Sequence, residues 1–151
     1  MVRDNDRLTV GGFNELSTID SEGVGFAIFF QGCSIRCPNC HNPELQEFDG
    51  GTIIQVSDIL AKIKANVDWY DSVILLGGEP LDQGILPLCL LMQEVRKMGL
   101  EVWLYTGYEE HQIPSLVKSR CDVIVAGAYR EDLKTGGFPA SSNQKFIDNR
   151  N

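Results

Sequence analysis

The sequence predicts an α/β fold, an open, partial (β/α) barrel with mostly parallel strands, and three features carry the prediction. Strand-like and helix-like apolar segments alternate from Val24 to Ala126, the order that βαβ units around a parallel sheet require. The best strand candidate, Val24–Phe30 (Val-Gly-Phe-Ala-Ile-Phe-Phe), is a continuous apolar run, as expected of a strand covered on both faces. The chain has 151 residues, enough for one domain but short of the roughly 250 that a closed eight-fold barrel needs.

The elements follow in order. Leu8–Val10 and Leu16–Ile19 are short β-prone segments around Gly11-Gly12, so residues 1–23 are expected to form a hairpin or an irregular flap. Val24–Phe30 then delivers the chain into a cysteine-rich loop. Glu44–Thr52 is polar, with a turn at Gly50-Gly51. Ser57 is placed to cap a helix in which Ile59, Leu60, Ile63 and Val67 recur at helical spacing. Ser72–Leu76 is a short aliphatic strand that stops at Gly77-Gly78-Glu79-Pro80. From Gly84 to Met98, the set Leu88, Leu91, Met92, Val95 and Met98 makes one helix face, and Gly99 suits the position just past its end. Glu101–Thr106 is the next strand, Ile113–Ser119 a short helix with Pro114 in its first turn, and Asp122–Ala126 a last buried strand. Residues 136–151 are expected to be a C-terminal tail, with 136–145 in loop. No repeat or low-complexity tract divides the chain, and a single domain is expected.

Composition narrows the function. With 43% hydrophobic and 23% charged residues the chain is ordinary globular material. Its net charge is −8, from 13 basic and 21 acidic residues, which argues against a nucleic-acid partner, whose binding surface would be a basic stripe. No apolar run approaches the roughly 18 residues of a membrane span, and Met1–Arg7 lacks the apolar core of a signal peptide. The expected compartment is the cytoplasm, where thiols stay reduced and free to bind metal.

Three of the five cysteines, Cys33, Cys37 and Cys40, fall inside Gln31–Pro43 with three and then two residues between them. Thiolates this close on a Gly- and Pro-punctuated loop can converge on one soft metal centre. An iron–sulfur cube normally takes four cysteines, so a cube held here would keep one iron open to a non-protein ligand. Three rivals compete. Cys37-Pro-Asn-Cys40-His41 has the form of a c-type haem attachment site, but that needs export and leaves Cys33 idle. Zinc on three thiolates with His41 or His111 is chemically sound, although no second ligand pair is present. A disulfide would leave one of the three unpaired. Cys89 reads as a small core hydrophobe and Cys121 as a lone thiol at a strand edge. His111, Arg36, Asp49 and Asp82 read as solvated charges or polar groups, and His41 as a neighbour able to tune a cluster by hydrogen bonding.

In a parallel α/β sheet, ligands gather at the carboxyl ends of the strands. The cysteine loop, Gly77–Pro80, Thr106–Tyr108 and Gly127–Tyr129 all follow expected strands, and so should meet at one rim. The two glycines of Gly77–Pro80 let backbone approach a ligand closely.

Cys-x3-Cys-x2-Cys after an apolar strand, together with Gly77-Gly78-Glu79-Pro80, resembles the paired hallmarks of the radical S-adenosylmethionine (radical SAM) family. The resemblance implies a 4Fe–4S cluster on Cys33, Cys37 and Cys40, with S-adenosylmethionine (SAM) chelating the open iron. It implies that Gly77, Gly78, Glu79 and Pro80 receive the methionine end of SAM, with Asn42 and Thr106 as further candidates for that pocket. Reduction of the cluster would then cleave SAM to a 5′-deoxyadenosyl radical. Cys40-His41-Asn42-Pro43, Trp103–Tyr108, Asp122–Val125 and Ser141–Lys145 are similar to the short glycyl-radical activases of anaerobic (class III) ribonucleotide reductase. That implies a large glycyl-radical reductase as partner and a flavodoxin- or ferredoxin-type electron donor. The pattern departs at Asn39, where an aromatic residue is common, at Ala126 (often acidic), at Ala140 (usually Gly) and at Lys145 (usually Arg). A short radical SAM enzyme acting on a small molecule, such as a deazapurine-forming synthase, and a non-enzymatic zinc or iron module are the alternatives.

Overall fold

The computed structural model describes residues 6–35, 43–47 and 50–150. Among them, seven strands share one sheet: β1 (Arg7–Ser17), β2 (Gly25–Phe30), β3 (Thr52–Gln55), β4 (Ser72–Gly77), β5 (Glu101–Thr106), β6 (Val123–Ala126) and β7 (Lys145–Asp148). Three helices accompany them: α1 (Val56–Ala65), α2 (Ile85–Lys97) and α3 (Ser115–Lys118). The order across the sheet is β3-β1-β2-β4-β5-β6-β7. β2, β4, β5 and β6 run parallel, while β1, β3 and β7 add antiparallel strands at the two sides. The sheet does not close, as the chain length predicts. No helix of the described residues is long and apolar enough to cross a membrane.

Alternation along the strands sorts the apolar residues onto two faces. On one face Phe26, Ile28, Phe30, Val73, Leu75, Val102, Leu104 and Ile124 pack with Ile59 and Ile63 of α1, Leu88, Leu91, Met92 and Val95 of α2, and Val117 of α3. On the other face Ala27, Ile74, Trp103 and Val123, flanked by Phe29, Leu76 and Tyr105, form a small second cluster. That face meets loops rather than helices. The Tyr105 hydroxyl donates to the Asp20 carbonyl, and the Phe138 ring lies edge-on to Tyr105 at 6.3 Å.

Four local expectations are revised. The hairpin expected around Gly11-Gly12 is one strand, β1, whose register shifts between Val10 and Gly12 while it pairs with both β2 and β3. A bulge uses the freedom of glycine as readily as a turn does, and a Cβ on Gly11 would stand 2.3 Å from Leu45 Cδ2. Ser57 lies inside α1, whose N-cap is Gln55. β3 runs directly into the helix and leaves no separate capping residue. Val67 belongs to a short 3₁₀ turn after α1. The tail is not all loop: β7 pairs antiparallel with β6, from Ala126↔Lys145 to Val123↔Asp148, and puts Phe146 6.2 Å from Trp103. Its four residues are too few to show a period and form a strand only because β6 presents an edge. Gly99, with φ +83°, ends α2 as expected.

Two neighbouring leucines on α2 test this packing. Leu91 is fully buried and Leu90 is 38% exposed, so Leu91→Ala should lose about 2–5 kcal/mol of unfolding free energy and Leu90→Ala less than about 1 kcal/mol. Urea titration of both variants measures the difference.

Candidate functional site

The carboxyl ends of the four parallel strands meet around a cavity of about 480 Å³. Its walls include Cys33 and Ile35 after β2, Gly77, Gly78 and Glu79 after β4, Thr106 and Gly107 after β5, and Gly127 and Tyr129 after β6. All four loops expected at one rim are therefore there.

Backbone pairing closes the base of the cysteine loop. Gly32 N–H donates to the Leu45 carbonyl (2.7 Å) and Cys33 N–H to the Gln46 carbonyl (3.0 Å). The buried Gln31 side chain adds bonds from Nε2 to the Glu44 and Glu47 carbonyls at 3.1 and 2.7 Å. Cys33 is buried on the cavity wall. Cys37, Cys40 and Asn42, with Arg36, Asn39 and His41, lie outside the described residues.

Gly77 and Gly78 are glycines because backbone occupies the space that a side chain would take. Gly77 has φ +103°, and a Cβ there would lie 2.6 Å from Phe30 N. A Cβ on Gly78 would lie 2.6 Å from both the Gly32 and Leu45 carbonyl oxygens. Gly78 N–H donates to the Phe30 carbonyl and Glu79 N–H to the Gly32 carbonyl, each at 2.8 Å. Close approach is thus used first to seat the β4 end against the base of the cysteine loop. Pro80 is buried and starts a 3₁₀ turn, Pro80–Gln83.

The Glu79 carboxylate, 1% exposed, ties the β4 and β5 ends together. Oε1 accepts Gly107 N–H at 2.7 Å, and Oε2 accepts the Thr106 hydroxyl at 2.7 Å and Leu81 N–H at 3.0 Å. Burial pushes its carboxyl up to about 7 despite these donors. Three bonds leave capacity for about one more donor. Thr106 lines the cavity, but its hydroxyl is committed to Glu79 and to Tyr108 N–H at 3.1 Å.

Sequence reasoning missed Asp82 and Gln83. Asp82 is no free surface charge: it accepts from Ser34 N–H and Oγ and from the Tyr108 hydroxyl. Gln83 Nε2 donates to the Gly32 carbonyl at 3.0 Å and to the Glu79 carbonyl at 3.1 Å. No periodicity marks either residue; position three and four places after Glu79 is the signal available. The tail also reaches the rim, with Gln144 Nε2 donating to the Gly127 carbonyl (3.1 Å) and Asn143 Nδ2 to the Ala128 carbonyl (2.8 Å). His111 is exposed and is not a wall residue.

Cys89 and Cys121 are buried among the helices. The Cys121 thiol contacts Met92 Sδ at 3.8 Å, and burial pushes it up to about 12. Both read as core residues. Among the described residues no three His, Cys, Asp or Glu side chains converge as a metal site; of the expected triad only Cys33 is described.

A family model described as a 4Fe-4S single cluster domain matches residues 19–147. The chain is 32% identical over 110 residues to the pyruvate formate-lyase-activating enzyme of Clostridium pasteurianum, a match covering 67% of this chain and 46% of that protein. It is 35% identical over 72 residues to the pyruvate formate-lyase-activating enzyme of Listeria monocytogenes, covering 45% of this chain and 29% of the relative. The chain thus spans less than half the length of these relatives. The crystal structure of QueE from Escherichia coli shares the fold, with a TM-score of 0.55 and 16% sequence identity over 80% of this chain and 70% of QueE.

Glu79 predicts a pH dependence. Its folded value is raised from 4.5 to about 7, so between these values the folded chain holds a proton that the unfolded chain has released. Its contribution is fully present below about pH 4.5 and is lost as pH rises through about 7, by about 3 kcal/mol at most. Urea unfolding of the metal-free protein at pH 5 and 7.5 should show this decline, and Glu79→Gln should flatten it.

Proposed function

We propose that this chain, which belongs to the 4Fe-4S single cluster domain family of radical SAM enzymes, is the activase that generates a glycyl radical on an anaerobic ribonucleotide reductase in the cytoplasm. Its cofactors are a 4Fe–4S cluster and SAM. The observation that carries the reading is the cavity in which Cys33 shares a wall with Gly77, Gly78 and Glu79.

The residues present fit the two cofactors. Cys33, Cys37 and Cys40 would supply three soft thiolate donors and leave one iron position for SAM. Gly77 and Gly78 bring backbone to the cavity wall, buried Pro80 starts the turn behind them, and Glu79 keeps acceptor capacity for the cationic amino group of SAM. Thr106 serves that pocket by holding Glu79 in place, and Asn42, two residues after Cys40 in the sequence, is a further candidate for it. When bound, the cluster and SAM would supply the one-electron chemistry that removes a hydrogen atom from a backbone glycine of the partner.

The open face supports a polypeptide substrate. The rim cavity shares Ile19, Asp20, Tyr105, Phe138 and Pro139 with a second cavity of about 400 Å³, which Trp103 and Phe146 also line. Aromatic and aliphatic side chains make up most of the second cavity's wall, with Asp20, Ser21 and Glu22 along one side, a surface that suits a polypeptide loop. The electron required for SAM cleavage would come from a flavodoxin- or ferredoxin-type protein.

Iron and sulfide content after anaerobic reconstitution tests the ligands. Cys33→Ser, Cys37→Ser and Cys40→Ser should each lose or severely deplete the cluster, while Cys89→Ser, Cys121→Ser and His41→Ala should keep it. Electron paramagnetic resonance of the chain with the reductase, SAM and a strong reductant should then show a glycyl radical on the partner. Fast SAM turnover by the chain alone, with no radical on the reductase, would instead favour a small-molecule substrate.

A further inference from the structure

Cys33 is clamped on both sides. Its own N–H donates to the Gln46 carbonyl at 3.0 Å. The next N–H, that of Ser34, donates to Asp82 Oδ2 at 2.8 Å, and the Ser34 hydroxyl donates to the same oxygen at 2.9 Å. The other carboxylate oxygen, Oδ1, accepts the Tyr108 hydroxyl at 2.6 Å. Ser34 Oγ and Tyr108 Oη approach to 3.2 Å, closing a triangle. Three strand ends therefore converge on one carboxylate: the cysteine loop through Ser34, the β4 loop through Asp82 itself, and the β5 loop through Tyr108.

This arrangement acts on the loop in two ways. Fixing a residue of a Gly- and Pro-rich loop costs backbone entropy, and bonds to a carboxylate are the stronger kind available to offset that cost. The bond also commits the Ser34 N–H to a protein acceptor. An amide so committed is withheld from cluster sulfur, and hydrogen bonds to sulfur together with nearby charge set cluster potentials.

We propose that Asp82, braced by Tyr108, is a positioning residue for the cluster loop. It orients the peptide after Cys33 and keeps the Ser34 N–H and a negative charge arranged to hold the cluster at low potential. The proposal rests on the reading of Cys33 as an iron ligand.

The test uses the full chain, reconstituted anaerobically, with two readouts: the rate of iron release to a chelator and the midpoint potential of the cluster. Outer groups that orient metal ligands typically carry 10–100-fold in affinity, so Asp82→Ala should release iron about tenfold faster and shift the potential to a less negative value. Asp82→Asn keeps an acceptor for Ser34 N–H without the charge and should show a smaller acceleration with the same direction of shift. Tyr108→Phe removes one donor and should speed release about threefold; these two milder variants carry the test if Asp82→Ala does not fold. Val117→Ala, a buried change on α3, should lower the melting temperature and leave both readouts unchanged. Release and potential at wild-type values in folded Asp82 and Tyr108 variants would overturn the proposal, as would equal acceleration in Val117→Ala. A wild-type chain that takes up no iron would overturn the ligand reading and this proposal with it.

Discussion

The buried carboxylate of Glu79 is the constraint on which the rim depends. Taking a carboxylate out of water costs several kcal/mol unless donors replace its hydration. Here two backbone N–H groups and one hydroxyl do so, from Gly107, Leu81 and Thr106. Desolvation still outweighs them, which is why the carboxyl titrates near 7 rather than in the usual carboxylate range. The fold keeps an incompletely compensated acid where a cationic ligand group would complete its coordination. Local rules are characteristically broken at functional sites.

The seat of Glu79 depends in turn on close backbone contact. Gly78 brings the β4 end onto the Gly32 and Leu45 carbonyls, and Gln83 bridges Gly32 and Glu79 from the far side of the turn. The segment that would hold SAM and the loop that would hold iron are therefore one hydrogen-bonded unit. A side chain at Gly78 would disturb the cysteine loop before it met any ligand.

The open face follows from strand order. From β2 through β4 and β5 to β6 the order advances in one direction, so crossovers of one hand place every helix on the same side. Helices α1, α2 and α3 build the large core there. The opposite side presents Trp103, Tyr105 and Phe146 along a cavity wall, which leaves a concave surface leading to the rim.

Much of this was legible in the sequence. Continuous apolar runs marked β2, β4, β5 and β6, helical spacing marked α1 and α2, and Cys33 with Gly77–Glu79 marked the rim, because these signals lie between near neighbours in the chain. The bulge in β1, the short strands β3 and β7, and the part played by Asp82 were not legible. Gly11-Gly12 is compatible with either turn or bulge until Leu45 fills the space beside it. Lys145–Asp148 becomes a strand only against the edge of β6. Asp82 looks like any surface acid until folding brings Ser34, 48 residues away, and Tyr108, 26 residues away, to its two oxygens. The sequence by itself determined the order of the elements and the donors available for chemistry. Tertiary structure alone decided which polar groups hold those donors in place, because such hydrogen bonds join residues distant in the chain and leave no periodic trace.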